Sequence, residues 1–234
     1  GLSLGINILP AGYKACPFNC RYCQYGFTDK RGYLAESDGC GMPSIDRIAD
    51  AVSRALTQFP SVSYITFSGN GEPTLHPEFG AIVREIKKLR DILLPHARVA
   101  ILSNSALVHK ECVRIALAEL DDRFMKLDAG HEQTFRQYNR PHKDVTFDAV
   151  VDGLKKLDRI AIQALFTGGK SGNGSDEAID FWIRAIGEIK PIACHIYSID
   201  RFAPDKQLTL LDKDELIAIK SLAERRTGIP VGVF

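Results

Sequence analysis

Along this chain, short apolar runs alternate with longer stretches in which apolar residues recur every three or four positions. The runs predict strands at residues 4–9, 64–67, 98–102, 123–127, 160–166 and 192–199. Between them the spacing is helical. Ser44 stands before Ile45, Ile48, Ala49, Val52, Leu56 and Phe59, which predicts a capped helix with one apolar face. Further helices are predicted to begin near Pro77, Leu107, Thr146, Ser175 and Lys213. Ser175-Asp176-Glu177 supplies both a cap and the acidic residues that a helix N-terminus favours.

Alternating strands and helices are the pattern of β-α units around a parallel sheet. Six such units fall short of the eight in a closed barrel. The expectation is therefore an α/β fold, a partial, open (β/α)6 TIM-like barrel, as a single domain over residues 1–234. Residues 231–234 can start one more strand. The Gly-rich residues 168–174 read as a flexible loop after the fifth strand. They contain Gly169-Lys170-Ser171 but lack the G-x4-G-K-[ST] spacing of a phosphate loop.

Composition adds little chemistry but removes some classes. With 45% hydrophobic residues, 234 positions can bury a substantial core. A net charge of +1 argues against a dominant electrostatic grip on nucleic acid or membrane. The basic residues Arg84, Lys87, Lys88, Arg90 and Arg98 read as a solvated helix face, without the interleaved aromatics that stack on bases. No run approaches the roughly 18 apolar residues of a membrane span.

Six cysteines are present. Cys112 and Cys194 read as small core residues of a helix and a strand, and Cys40, in an irregular loop, is a candidate for a second role. A chain of this size needs no disulfides. His76, His131 and His142 lack regular metal spacing.

The remaining three cysteines form Cys16-Pro-Phe-Asn-Cys20-Arg-Tyr-Cys23, a C-x3-C-x2-C array after the first apolar run. Thiolates are soft ligands for iron–sulfur clusters or zinc. Structural zinc takes four protein ligands and the array offers three. Three thiolates can hold three corners of a cubane and leave the fourth iron open to a small molecule. A second motif, Ser68-Gly69-Asn70-Gly71-Glu72-Pro73-Thr74-Leu75, follows the second predicted strand. Its glycines allow close backbone approach and Glu72 places a charge beside that backbone.

Together the array and the Gly71-Glu72-Pro73 segment resemble the radical S-adenosylmethionine (SAM) superfamily. Gly5-Ile6-Asn7-Ile8-Leu9-Pro10, Tyr22-Cys23-Gln24-Tyr25-Gly26 and Gly71-Glu72-Pro73-Thr74-Leu75-His76-Pro77 look most like its wyosine-synthase-related oxidoreductase branch. The resemblance implies that Cys16, Cys20 and Cys23 hold a [4Fe-4S] cluster and that SAM fills the open iron. It implies that Gly69, Asn70, Gly71 and Glu72 meet the SAM amino group, and that Tyr22 and Tyr197 with Asp200 lie near adenine.

At the ends of other predicted strands, Ser103 and Asn104 can hold the SAM carboxylate or serve as a turn and cap. Asp128 and Gln163 can meet the ribose. Lys126 can pair with Asp128 or with a carboxylate of the cofactor, or form a structural salt bridge with Asp128; Gln163 can bond outward, and Asp200 can pair with Arg201.

What the resemblance implies for activity is reductive cleavage of SAM to methionine and a 5′-deoxyadenosyl radical, which abstracts hydrogen from a small molecule, a peptide or RNA. It also implies a one-electron donor of flavodoxin or ferredoxin type and a reducing, cytoplasmic setting. Competing expectations are an activase that installs a glycyl radical on a partner protein, a non-enzymatic iron–sulfur electron carrier, and a zinc-dependent binding module. A carrier would have no need of the Gly71-Glu72-Pro73 segment.

Overall fold

The computed structural model describes residues 1–28, 41–200 and 203–234. Cys40 and Arg201, each given a candidate role above, lie outside the described residues. The chain divides into two compact units: Gly1–Cys16, Thr28–Ser103 and Lys110–Phe124 form the first, and Pro17–Phe27, Asn104–His109 and Met125–Phe234 the second.

In the first unit, β1 (Leu2–Ile6), β2 (Val62–Phe67) and β3 (Arg98–Ser103) pair in parallel, with Ile6 opposite Phe67 and Phe67 opposite Ile101. Their partners are α1 (Ile45–Gln58), α2 (Phe79–Leu93) and α3 (Glu111–Ala118). Ser44 caps α1 by accepting from the Arg47 N–H at 3.4 Å, as its position predicts. Ile48, Val52 and Leu56 turn inward, while Phe59, expected on the same face, is the C-cap residue and is exposed. Ile65, Phe67, Val99, Ile101, Ile82 and Ile86 are fully buried. Each contributes about 1.5–3 kcal/mol relative to leaving it in water.

Residues 7–9 were expected in the first strand but lie beyond its end. Ile8 and Leu9 are buried, so their apolar character reports burial and not strand pairing. The Asn7 side chain bends the chain there by accepting from the Leu9 N–H at 3.2 Å. Cys112, expected in the core, is exposed. On α3 the inward positions are Val113, Ala116 and Leu117, and Cys112 falls outside that stripe.

The second unit carries the end of β4 (Asp122–Lys126) and the strands β5 (Ala161–Leu165), β7 (Ala193–Tyr197) and β9 (Val231–Val233). β5 pairs in parallel with β7, and β7 with β9, placing Ile162 opposite Cys194 and Cys194 opposite Val231. Cys194 is a buried strand residue, as its position predicts. Val231–Val233 realises the further strand foreseen at residues 231–234. The helices are α4 (Phe147–Leu154), α5 (Asp176–Ile189) and α6 (Lys213–Thr227). Thr146, Ser175 and Asp212 cap them, Asp212 as half of a capping box with Glu215. Trp182 of α5 is fully buried, edge-on to Phe166 at 5.1 Å, and its indole N–H donates to the Leu127 carbonyl at 2.9 Å.

Of the Gly-rich tract expected as a loop, residues 168–169 lie in a strand and residues 170–174 form the loop that leads to α5. Thr167–Gly169 forms β6 and pairs antiparallel with β8 (Leu208–Leu210). Gly169 has φ +84°, and a Cβ there would stand 2.0 Å from the Gln207 carbonyl oxygen. Its glycines serve close strand pairing. Next to it, Asn173 is 1% exposed and accepts from the Thr167 N–H while donating to the Asp128 and Leu165 carbonyls.

Candidate functional site

The expected site residues fall into two groups, one in each unit. In the first unit, residues 69–72 follow β2 and press against the segment that leads into the cysteine array. A Cβ at Gly71 would lie 1.8 Å from the Ala15 carbonyl oxygen, so only glycine fits there. The Glu72 N–H donates to that same oxygen at 2.8 Å. Ala15 immediately precedes Cys16, so the two motifs recognised in the sequence touch at the entrance to the array.

Asn70 tightens this contact: its amide nitrogen donates to the Pro10 and Tyr13 carbonyls, both at 2.8 Å. Its Oδ1 is buried without a hydrogen-bond partner.

Glu72 is fully buried. Its Oε1 accepts from the Thr74 N–H at 3.1 Å, the Thr74 hydroxyl at 2.6 Å and the Ser103 hydroxyl at 2.9 Å. Glu72 thereby caps the 3-10 turn Pro73–Leu75 and ties it to the end of β3. His76, discounted as a ligand, is buried, accepts from the Glu78 N–H at 3.1 Å and lies 3.0 Å from the Pro43 carbonyl. Replacing Gly71 by alanine should cost about 2–3 kcal/mol, because the neighbour it meets is backbone and cannot rotate away. An unchanged urea midpoint in Gly71→Ala would refute the close approach.

In the second unit, Pro17–Phe27 carries Cys20 and Cys23 and is braced along a π-helical turn at Phe135–Asn139. The Asn19 N–H is shared by the Asn139 and Arg140 carbonyls at 3.1 Å each, Arg21 N–H donates to Tyr138 O at 3.0 Å, and His142 N–H to Pro17 O at 2.8 Å. Arg140 closes the turn in the left-handed region at φ 47°. π turns of this kind concentrate at functional sites. Within the array, Cys23 N–H donates to Cys20 O at 3.1 Å.

Asp128 organises the surrounding side chains, and its own is fully buried. Oδ1 accepts from the Leu165 N–H at 2.8 Å and faces Lys126 Nζ at 3.4 Å. Oδ2 accepts from the Tyr22 hydroxyl at 2.5 Å and the Asn139 amide at 2.6 Å. The salt bridge weighed for Lys126 and Asp128 is thus present, and both carboxylate oxygens have protein donors.

Lys126 Nζ also donates to the Tyr197 hydroxyl at 2.9 Å and stands 5.0 Å from the Tyr22 ring and 5.1 Å from the Tyr197 ring. Burial pulls its ammonium down, but the Asp128 charge and the Tyr197 hydroxyl outweigh that and hold Lys126 above the ordinary lysine value. Burial and then the Asp128 charge push the Tyr22 hydroxyl well up. The same two causes push the Cys20 thiol up to about 11, against donors from Asn139 and Tyr22 that favour the thiolate.

Other expected residues are less engaged. Asn104 Oδ1 accepts from the Ala106 N–H at 2.9 Å, the turn role weighed for it. Gln163 is half-buried on β5, its carbonyl accepting from the Leu127 N–H at 2.9 Å. Asp200 is exposed beyond β7.

The sequence reading overlooked Asn139, Asn173 and Tyr138. Tyr138 is 1% exposed, packs on Tyr22 at 5.2 Å between ring centroids and lies 3.0 Å from the Thr167 hydroxyl. The signal available was polar and aromatic residues crowded before a proline in Tyr138-Asn139-Arg140-Pro141, a helix-ending pattern.

The donor set suits an iron–sulfur cluster. Cys16 and Cys20 are buried and Cys23 is half-buried. Asn139 directs an amide N–H at Cys20 Sγ, 3.5 Å away, the polarity that a metal-bound thiolate accepts. Among the described residues no three His, Cys, Asp or Glu side chains converge as a single metal ion requires. A cubane takes one thiolate at each iron and does not need ligands that converge on one ion.

Comparison with known proteins places this geometry. Residues 12–181 match the family described as the Radical SAM superfamily. A protein of Brachyspira hyodysenteriae named GTPase Obg is 31% identical over 241 residues, covering 100% of this chain and 33% of that protein. UPF0026 protein MJ1312 of Methanocaldococcus jannaschii is 32% identical over 159 residues, 66% of this chain and 45% of that one. The chain thus spans between a third and a half of the length of these curated relatives.

Among solved structures, TYW1 with a lysine-pyruvate adduct bound is similar at a TM-score of 0.68 and 14% identity, over 95% of this chain and 74% of that one. That likeness carries the expected fold class, α/β of the partial TIM-barrel kind.

Proposed function

The chain belongs to the radical SAM superfamily, and on that premise we propose that Cys16, Cys20 and Cys23 hold a [4Fe-4S] cluster at which S-adenosylmethionine is reductively cleaved. When bound, the cluster supplies the electron that breaks the S–C5′ bond, releasing methionine and a 5′-deoxyadenosyl radical that abstracts hydrogen from a substrate. The substrate belongs to one of three classes: small molecule, peptide or RNA.

The chain's own residues position and shield. Gly71 and Glu72 bring backbone against Ala15 beside Cys16. Asn70 clamps the approach to the array and keeps its buried Oδ1 for a cationic donor such as the SAM ammonium. Glu72 fixes the turn from beneath through Thr74 and Ser103. Tyr22, Lys126, Asp128 and Tyr197 form a charge-balanced group that fixes side-chain positions beside Cys20.

The observation that carries this reading is the seating of Gly71-Glu72 on the residue before Cys16. An electron carrier leaves that seating without a purpose. The GTPase name of the Brachyspira relative is not carried over, since the Gly-rich tract lacks phosphate-loop spacing and pairs as β6. A flavodoxin- or ferredoxin-type protein is the proposed electron donor and the cytoplasm the proposed compartment. No helix among the described residues is long and apolar enough to cross a membrane.

Anaerobically reconstituted chain given SAM and dithionite should release 5′-deoxyadenosine at a rate well above Cys16→Ala. Equal product from both would remove the enzyme reading.

A further inference from the structure

A side-chain amide has two hydrogens, and Asn139 spends them on two electron-rich atoms. One goes to Asp128 Oδ2 at 2.6 Å and the other to Cys20 Sγ at 3.5 Å. Its Oδ1 is buried with no hydrogen-bond partner. Rotating the amide would turn that oxygen onto a carboxylate and a sulfur, so the orientation is set by charge.

The backbone enforces the same arrangement. Asn139 ends the π turn, its carbonyl accepts from Asn19 in the array loop, and Arg140 holds the left-handed exit. The residue that braces the loop also reaches the sulfur inside it.

We propose that Asn139 is a tuning residue, raising the reduction potential of the cluster through its N–H on Cys20 Sγ. This rests on the reading that Cys20 is a cluster ligand. Reduction adds negative charge to the cluster and its sulfurs, and a hydrogen bond to sulfur stabilises the more negative state. Without the donor, reduction becomes harder while ligation by sulfur is untouched.

The test compares the wild-type chain with Asn139→Leu, Asn139→Asp and Arg21→Ala, all reconstituted anaerobically. Iron per chain is measured first. Redox titration without SAM, followed by electron paramagnetic resonance, then gives the potential. Asn139→Leu should keep wild-type iron while the reduced-to-oxidised ratio at fixed poise falls about tenfold, about 59 mV for a one-electron couple. Asn139→Asp preserves side-chain shape, removes the same donor and adds a negative charge, and should shift further in the same direction.

Arg21→Ala loosens the same brace by removing bonds to Gln137 O at 2.6 Å and Asp205 at 2.5 Å, together with one positive charge, and its potential should fall by less than half the Asn139→Leu shift. An unmoved potential in both iron-loaded Asn139 variants would overturn the proposal. So would an equal shift in Arg21→Ala, or loss of iron from both Asn139 variants. The ligand reading fails by a different result: wild-type iron uptake in Cys20→Ala.

Discussion

Asp128→Ala should lower the unfolding free energy by about 3–5 kcal/mol, the range for removing one partner of a buried ion pair. The carboxylate is fully buried and accepts from Leu165, Tyr22 and Asn139 while facing Lys126. Truncation leaves three donors without their acceptor and a buried ammonium without its counter-charge. Most of the loss comes from what remains behind, because Lys126 must then be held charged away from water or deprotonated.

The double variant Asp128→Ala with Lys126→Met should therefore recover a measurable part of the loss, since it removes the stranded charge. Urea unfolding of the parent and both variants at matched iron content measures this. A midpoint for Asp128→Ala within 1 kcal/mol of the parent would mean that these bonds contribute little to holding the second unit together.

The largest effect on activity is expected from the array. Cys16→Ala, Cys20→Ala and Cys23→Ala should each abolish iron–sulfur absorbance and bring 5′-deoxyadenosine formation to background, since each removes the thiolate of one iron. Cys112→Ala should retain both signals: Cys112 is exposed on α3. Loss of absorbance in Cys112→Ala, or its persistence in any one of the array variants, would break the ligand assignment. Cys20 has a further point of interest. Burial and then the Asp128 charge push its thiol up to about 11, so the ligation proposed for it would displace a proton against those two influences.

Much of the candidate site was legible because its signals are local in the chain. The C-x3-C-x2-C spacing and the Gly71-Glu72-Pro73 turn are each fewer than ten residues long, and their chemistry follows from residue type. Caps at Ser44 and Ser175 were legible for the same reason, a cap being a bond across three residues, whereas the helices expected to begin near Thr146 and Lys213 have Thr146 and Asp212 as their caps.

Other readings failed where burial imitates a strand or where distant pairing decides. Ile8 and Leu9 read as strand because they are apolar, yet they are buried beyond the end of β1. The Gly-rich tract read wholly as a loop, yet its first two residues, Gly168 and Gly169, pair with β8 some forty positions later. Around Asn139 the sequence shows only a helix-ending pattern, and nothing local points to its partner Cys20, 119 residues away.

By itself, then, the sequence determined the alternation of strands and helices, the soft-ligand array and the glycine turn, since each depends on residue type and short-range spacing. Only the tertiary structure decided that Gly71 meets Ala15, that Asp128 binds its neighbours within the protein, and that Asn139 reaches a sulfur. Those contacts join residues far apart in the chain. Their geometry is set by strand register and by the π turn, and neither leaves a periodic mark on the sequence.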